Sequence, residues 1–195
     1  MYQNARFLFA TLDLPANPIQ PSYEWPKSAS TPSELRRVDD RALIPEVKSW
    51  FDQLGISVDF LMLWTWYKQP NEEFYEIHTD GDIDSYHRYC AMNWLITGNS
   101  TVSWFPFEGS TPKKRIYKTN TYPLTEWVYS HTPMPLAAWT GTRPALLNIE
   151  QPHQVKVYGD GSVPRRSVTI RFNPNLKMEE MIERCRDRII STNRN

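Results

Sequence analysis

Short segments in which hydrophobic residues alternate with others constrain the fold of this chain most strongly. The longest covers residues 56–67, where every second residue from Ile56 to Trp66 is apolar or aromatic. A period of two is that of a half-buried β-strand. Further strand candidates, separated by Asn, Gly or Pro, cover residues 73–78, 88–97, 101–105, 145–149, 153–158 and 165–172. Short strands at this spacing predict a mainly β (α+β) fold, a jelly-roll or sandwich with a few flanking helices.

Two segments near the N-terminus differ from this pattern. Residues 1–35 hold five prolines and little hydrophobic period, so an extended segment is expected there. Residues 43–54 carry apolar side chains at helical spacing, with Pro45 near the start and Gly55 just after the end. This arrangement predicts a helix.

Two later segments also lack strand character. Residues 106–135 are rich in Pro, Thr and aromatic residues without a clear period, which indicates a long functional insertion. Residues 176–190 carry acidic side chains early and arginines late, as an amphipathic helix at the C-terminus would. The chain is therefore expected to form one domain over residues 1–195, with its jelly-roll core at 56–173.

Charge and cysteine content limit the function classes. The 22 Lys and Arg residues equal the 22 Asp and Glu residues, so no overall field attracts nucleic acid or an anionic membrane. Cys90 and Cys185 are too few for a disulfide framework, and no signal sequence or membrane-spanning stretch is evident. A soluble cytoplasmic protein, monomeric or homodimeric, is expected.

His78, Thr79 and Asp80 form the first candidate site, at the end of a strand candidate. The strand period of two places His78 and Asp80 on the same face. One imidazole and one carboxylate close in sequence, together with a distant imidazole, can hold iron(II) and leave three positions open. A second histidine is therefore required for this interpretation.

His153 and Arg165 supply what the first motif lacks. They lie on consecutive strand candidates joined by a Gly-Asp-Gly turn, so both are expected to face one cavity. Alternation also puts Ser167 on the face of Arg165. A buried arginine can grip a carboxylate with two parallel hydrogen bonds, and the serine hydroxyl can add a third.

Calcium binding is an alternative for the first motif. Asp80, Asp82 and Asp84 alternate like the start of a calcium-binding loop. Ser85, however, stands where such a loop needs Gly, and Ala91 where it needs a bidentate Glu. The pattern therefore favours the His-Asp-His site.

Together these motifs resemble the iron(II)- and 2-oxoglutarate-dependent dioxygenase superfamily, and in particular its prolyl and aspartyl/asparaginyl hydroxylase-like members. The shared pattern is His-x-Asp, a distal His, then Arg-x-Ser, over roughly half the chain. The resemblance implies a double-stranded β-helix (jelly-roll, cupin-like) that uses Fe(II), 2-oxoglutarate and, optionally, ascorbate. It implies iron ligation by His78, Asp80 and His153, and 2-oxoglutarate binding by Arg165 and Ser167.

Arg166, Arg88 and Arg171 extend this interpretation. Arg165 and Arg166 are adjacent, so the strand register decides which one faces the cavity, and the Arg-x-Ser match favours Arg165. Arg88 and Arg171 are candidates for further carboxylate contacts. Trp64, Trp66 and Trp94 could wall the cavity, although core packing is the more common role of such residues.

The activity implied is hydroxylation with release of succinate and carbon dioxide. The substrate is expected to be an amino-acid or peptide side chain, or else a small metabolite. A different class of function stays open: a cupin-like barrel that binds a metal or a carboxylate without oxygenase activity.

Overall fold

The computed structural model of the chain describes residues 3–26, 33–67, 76–82, 86–115, 124–159 and 162–194. The helices are α1 (Pro45–Gln53) and α2 (Met178–Arg184), with 3-10 turns at Asp40–Ala42 and Arg186–Arg188. The strands are β1 (Phe7–Leu12), β2 (Ser33–Val38), β3 (Ser57–Trp66), β4 (His78–Asp82), β5 (Tyr86–His87), β6 (Cys90–Thr97), β7 (Asn99–Trp104), β8 (Ser110–Arg115), β9 (Leu124–Tyr129), β10 (Ala137–Trp139), β11 (Ala145–Asn148), β12 (His153–Tyr158), β13 (Arg165–Asn173) and β14 (Ile189–Arg194).

The described strands form two antiparallel sheets. The first, which we call the arginine sheet, has the order β14-β1-β11-β6-β13-β3-β2. The second, which we call the histidine sheet, has the order β10-β7-β12-β4-β9-β8, with β5 paired to β4. The predicted fold class is therefore confirmed: the chain is mainly β, with a cupin-like jelly-roll and a few flanking helices.

The arginine sheet has two different faces, and β3 shows why. Its even-numbered residues from Phe60 to Trp66 line a cavity between the two sheets. Leu61 and Leu63 point the other way and are fully buried in the main hydrophobic core. The alternation read from the sequence of this strand is therefore confirmed.

The main core lies between the arginine sheet and the helices. Val47 and Phe51 of α1 pack there with Met181 of α2 and Ile170 of β13. The rings of Phe51 and Phe172 lie 5.8 Å apart. The helix predicted at residues 43–54 is confirmed as α1, which covers most of that range.

Both ends of the chain contain strands that the sequence pattern did not predict. Within the Pro-rich residues 1–35, β1 pairs with β11 and β14 inside the arginine sheet. The C-terminal helix predicted at 176–190 ends at Arg184, and β14 follows. β1 (FLFATL) carries apolar residues on both faces, so its sequence shows no period of two.

Residues 106–135 also differ from the expected insertion. They contribute β8 and β9 to the histidine sheet, and β9 pairs directly with β4. Four consecutive residues of β9, from Leu124 to Trp127, are buried. Burial of both faces removes the alternation by which a strand is recognised in a sequence.

The strand predicted at residues 73–78 lies partly outside the described residues, which resume at residue 76. In the described part, His78 begins β4 rather than ending a strand. Among the described helices, none has the length and apolar character needed to cross a membrane.

Candidate metal centre

His78, Asp80 and His153 come together on the histidine sheet. β4 places His78 and Asp80 on one face, and His153 of β12 is the register partner of His78. One ligand atom from each of the three side chains lies within 4.8 Å of the other two. The pairing of β4 with β12 thus brings together Asp80 and His153, which are 73 positions apart in the sequence.

Backbone carbonyls orient both imidazole rings. Nδ1 of His78 lies 2.9 Å from the carbonyl oxygen of Glu76, and Nδ1 of His153 lies 3.0 Å from that of Gln151. A carbonyl oxygen only accepts, so each Nδ1 carries the proton and donates. The lone pair of each Nε2 is therefore available to a metal, as is usual for histidine ligands.

The carboxylate of Asp80 is shared between two partners. Its Oδ1 lies 3.4 Å from Nε2 of His78 and 3.9 Å from Nε2 of His153. Its Oδ2 accepts a hydrogen bond from Nη2 of Arg171, which reaches across from β13. With one oxygen held by Arg171, Asp80 presents the other as a monodentate ligand.

Burial and charge set the protonation of the site. Burial raises the pKa of Asp80, but the positive charge of Arg171 and, after it, the neighbouring histidines lower it by more, so the net pKa falls well below its ordinary value. Burial, and next His78, lower the pKa of His153 to about 4. At neutral pH Asp80 is an anion and His153 is neutral, as ligation requires.

Arg165 and Ser167 lie on the opposite wall, on the arginine sheet. Arg165 is buried, its Nη1 donates to Oγ of Ser167 at 2.8 Å, and its guanidinium lies 5.3 Å from the ring centre of Trp66. Arg166 points to the other face, 5.8 Å from the ring centre of Trp25. The register therefore turns Arg165, and not Arg166, towards the cavity.

The relation between β12 and β13 differs from the expected hairpin. The two strands belong to different sheets, so His153 and Arg165 face each other across the cavity rather than lying side by side. They share one cavity all the same. The turn between them carries the chain from one sheet to the other.

The cavity between the sheets has a volume of about 110 Å³. A single water needs only ~10–15 Å³ of this kind of volume, so a small organic molecule can enter. Trp64 and Trp66 line the cavity, whereas Trp94 is buried in the main core and donates from Nε1 to the carbonyl of Pro15 at 3.0 Å. The wall role suggested for the tryptophans therefore holds for two of the three.

Four further polar residues line the cavity: Arg88, Asn93, Thr169 and Arg171. Arg88 is buried and pairs with Asp59 at 3.3 Å. Arg171 could be found from the sequence because it continues the alternation of Arg165 and Ser167. Asn93 has no such signal, since its strand is apolar around it.

The calcium alternative gains no support from the described chain. Asp84 and Ser85 lie outside the described residues, and the side chain of Asp82 is not described either. In the described part, Asp80 is grouped with two histidines. Nitrogen donors favour a transition metal over calcium, which takes oxygen ligands.

Comparisons with known proteins give only weak similarities to solved structures. No family model and no curated protein matches the sequence. Among solved structures, the chain is similar to vicilin from Corylus avellana (hazelnut), with 9% identity and a TM-score of 0.36 over 76% of this chain and 32% of that one. It is also similar to E. coli ycfD, with 11% identity and a TM-score of 0.42 over 93% of this chain and 45% of that one. The chain thus spans less than half the length of either protein, and the chemistry of the site follows from its residues alone.

Proposed function

We propose that the chain is an iron(II)- and 2-oxoglutarate-dependent dioxygenase that hydroxylates an amino-acid or peptide side chain. One observation supports this best: a single cavity holds a His-Asp-His set on one wall and a buried Arg165–Ser167 pair on the other. A barrel that only binds a metal has no need of the second wall. One oxygen atom of O₂ would enter the substrate as hydroxyl, and the other would enter the succinate formed with carbon dioxide from 2-oxoglutarate.

The donor set fits iron(II). Two imidazoles and one carboxylate are the facial ligand set of non-haem iron oxygenases and leave the remaining positions open. Bound iron and 2-oxoglutarate supply the oxidising chemistry, and the protein supplies placement and exclusion of water. Because Oδ2 of Asp80 accepts a hydrogen bond from Arg171, Oδ1 is the oxygen that would be offered to the iron.

Arg165 fits the far carboxylate of 2-oxoglutarate. Its guanidinium is buried and oriented by Ser167 and Trp66, so little side-chain freedom would be lost when a ligand binds. A charge-assisted, two-point contact in a buried site is strong and selective for carboxylates. Ser167 can add its hydroxyl hydrogen to the same carboxylate.

The cavity dimensions support a small reacting group. With about 110 Å³ between the sheets, a side chain or small metabolite can reach the site. Trp64 and Met62 provide an apolar wall for its carbon atoms. The sequence resemblance favours an amino-acid or peptide side chain over a small metabolite.

An anaerobic titration tests this function. Iron(II) and 2-oxoglutarate added to the protein should give the weak visible absorption band of the iron–keto acid chelate. Arg165→Met should lower 2-oxoglutarate affinity by roughly a hundredfold, about 3 kcal/mol, and Arg166→Met should leave it unchanged. Metal binding should survive both substitutions, because neither arginine is a ligand.

The alternative outcomes are equally specific. Iron binding without any 2-oxoglutarate binding would favour the cupin-like metal-binding barrel instead. A larger loss in Arg166→Met than in Arg165→Met would contradict the register. If the band forms, succinate release measured against free amino acids and peptides identifies the substrate class.

A further inference from the structure

Asn93 lines the cavity from the arginine sheet. It lies on β6, in register with Thr169 of β13 and Ala145 of β11. The cavity-facing stripe of β13 runs from Arg165 at one end to Arg171 at the other. Asn93 therefore lies beside the middle of this stripe, one row from Arg171 and its partner Asp80.

The amide of Asn93 has no hydrogen-bond partner within the described chain. The side chain is half-buried, and its Oδ1 is fully buried without a hydrogen-bond partner among the described residues. A buried amide oxygen without a partner costs folding stability, which an apolar side chain of the same size would avoid. Such a group indicates a partner that is not part of the protein.

Asn148 shows what a structural asparagine looks like in the same fold. It is buried, and its Nδ2 donates to the carbonyl of Phe7 at 3.0 Å. Its Oδ1 accepts from the backbone nitrogens of Glu150 and Gln151, both at 3.1 Å. Every polar atom of this side chain has a protein partner, in contrast to Asn93.

The position of Asn93 selects the part of the ligand it would contact. Arg165 donates to Ser167, so its guanidinium lies over the row of Ser167. Asn93 pairs with Thr169 and so lies in the next row, nearer to Asp80. Successive rows on one face of a strand are ~6.6–6.8 Å apart. A keto diacid held at its far end by Arg165 and directed to the metal brings its keto-acid end to this row.

We propose that Asn93 is a cosubstrate-binding residue whose amide nitrogen donates a hydrogen bond to the keto-acid end of 2-oxoglutarate. This inference rests on the proposed function. The keto and carboxylate oxygens only accept, so the amide nitrogen is the group that pairs with them. Of the two flipped orientations of the amide, the one that turns Nδ2 towards the ligand makes this contact.

Binding of two keto acids tests the assignment. Pyruvate has the keto-acid end of 2-oxoglutarate but lacks the far carboxylate. In anaerobic titrations of the iron-loaded protein, Asn93→Leu should weaken both ligands by about tenfold or more. Asn93→Asp should weaken both further, because it adds a negative charge beside the ligand. Arg165→Met should weaken 2-oxoglutarate alone.

Stability without ligand gives a second readout. Asn93→Leu should unfold at the same or a higher urea concentration than the parent, because it removes a buried amide oxygen that has no partner in the described chain. Asn148→Leu should unfold at a clearly lower concentration, because it leaves three backbone groups without partners. A merely structural Asn93 would lower stability as Asn148 does.

The outcomes separate this inference from the function beneath it. If the iron-loaded parent binds no 2-oxoglutarate, the proposed function fails. If the parent binds both keto acids and both Asn93 variants bind them equally well, the role of Asn93 is overturned and the function stands. A loss confined to 2-oxoglutarate would also overturn it, because Asn93 would then serve the far end.

Discussion

The two faces of the arginine sheet have opposite chemical character, although the same strands supply both. On β13, Val168 and Ile170 are fully buried in the apolar core against the helices. Thr169 and Arg171 alternate with them and line the cavity. Substitutions one residue apart should therefore separate the stability of the fold from the binding properties of the site.

Loss of a metal ligand should have the largest effect on the cavity side. His78→Ala, Asp80→Ala and His153→Ala should each lose tight iron binding and remain folded, because each removes one of three ligands and leaves the apolar core intact. Metal analysis and circular dichroism measure the two properties. His131→Ala, at an exposed histidine, is the control that should keep its iron. Normal iron stoichiometry in any two of the three variants would contradict the triad.

The next largest effect should appear on the core side. Ile170→Ala should lower the free energy of unfolding by about 2–5 kcal/mol, because it leaves a cavity in a fully buried position. Thr169→Val, one residue away, should change it by less than about 1 kcal/mol. Urea unfolding of the metal-free variants measures both. Equal losses would show that the cavity face also carries the fold.

The sequence predicted those elements whose two faces differ. β3 and β13 each have one apolar and one mixed face, and their alternation placed Arg165 and Ser167 correctly on one side. Because β1 carries apolar residues on both faces and β9 is buried on both, neither shows a period of two in its sequence, and neither could be predicted as a strand. The alternation of apolar residues thus indicates a strand whose two faces differ in burial, and it is missing from a strand whose two faces are equally apolar.

Pairings between distant residues could not be predicted from the sequence, for a different reason. Register decides that His153 lies beside His78, and sheet membership decides that Arg165 faces them from the other wall. The pairing of Arg171 with Asp80 also depends on how the two sheets pack together. Motif order suggested the triad, but only the packed sheets put Arg171 on its carboxylate.

Low pH should destabilise the metal-free protein, because two titratable residues that line the cavity, His153 and Asp80, have lowered pKa values. Burial and His78 hold the pKa of His153 at about 4, against 6.5 in an unfolded chain. Between these values the unfolded state binds more protons, so stability should fall as the pH falls from 6.5 to 4, by on the order of 2–3 kcal/mol. Asp80, whose pKa is lowered, adds a further loss below its ordinary value near 3.8. Unfolding of chelator-treated protein across this range should show a shallower slope in His153→Asn, and an unchanged slope would contradict the assignment.

The smallest effect concerns β9, which joins the histidine sheet from the segment expected to be an insertion. The indole nitrogen of Trp127 donates to Oγ1 of Thr79 at 3.2 Å, between the two ligands of β4. Trp139 is the matched control: it is equally buried, and its indole nitrogen has no hydrogen-bond partner in the described chain. Both Trp→Phe substitutions shrink a buried ring, but only Trp127→Phe also removes a hydrogen bond, so it should cost about 1 kcal/mol more. Iron affinity should fall slightly in Trp127→Phe alone, because Thr79 helps to hold β4 in place. Equal stability and equal iron affinity in the two variants would mean that the hydrogen bond from Trp127 to Thr79 does not support the metal-binding strand.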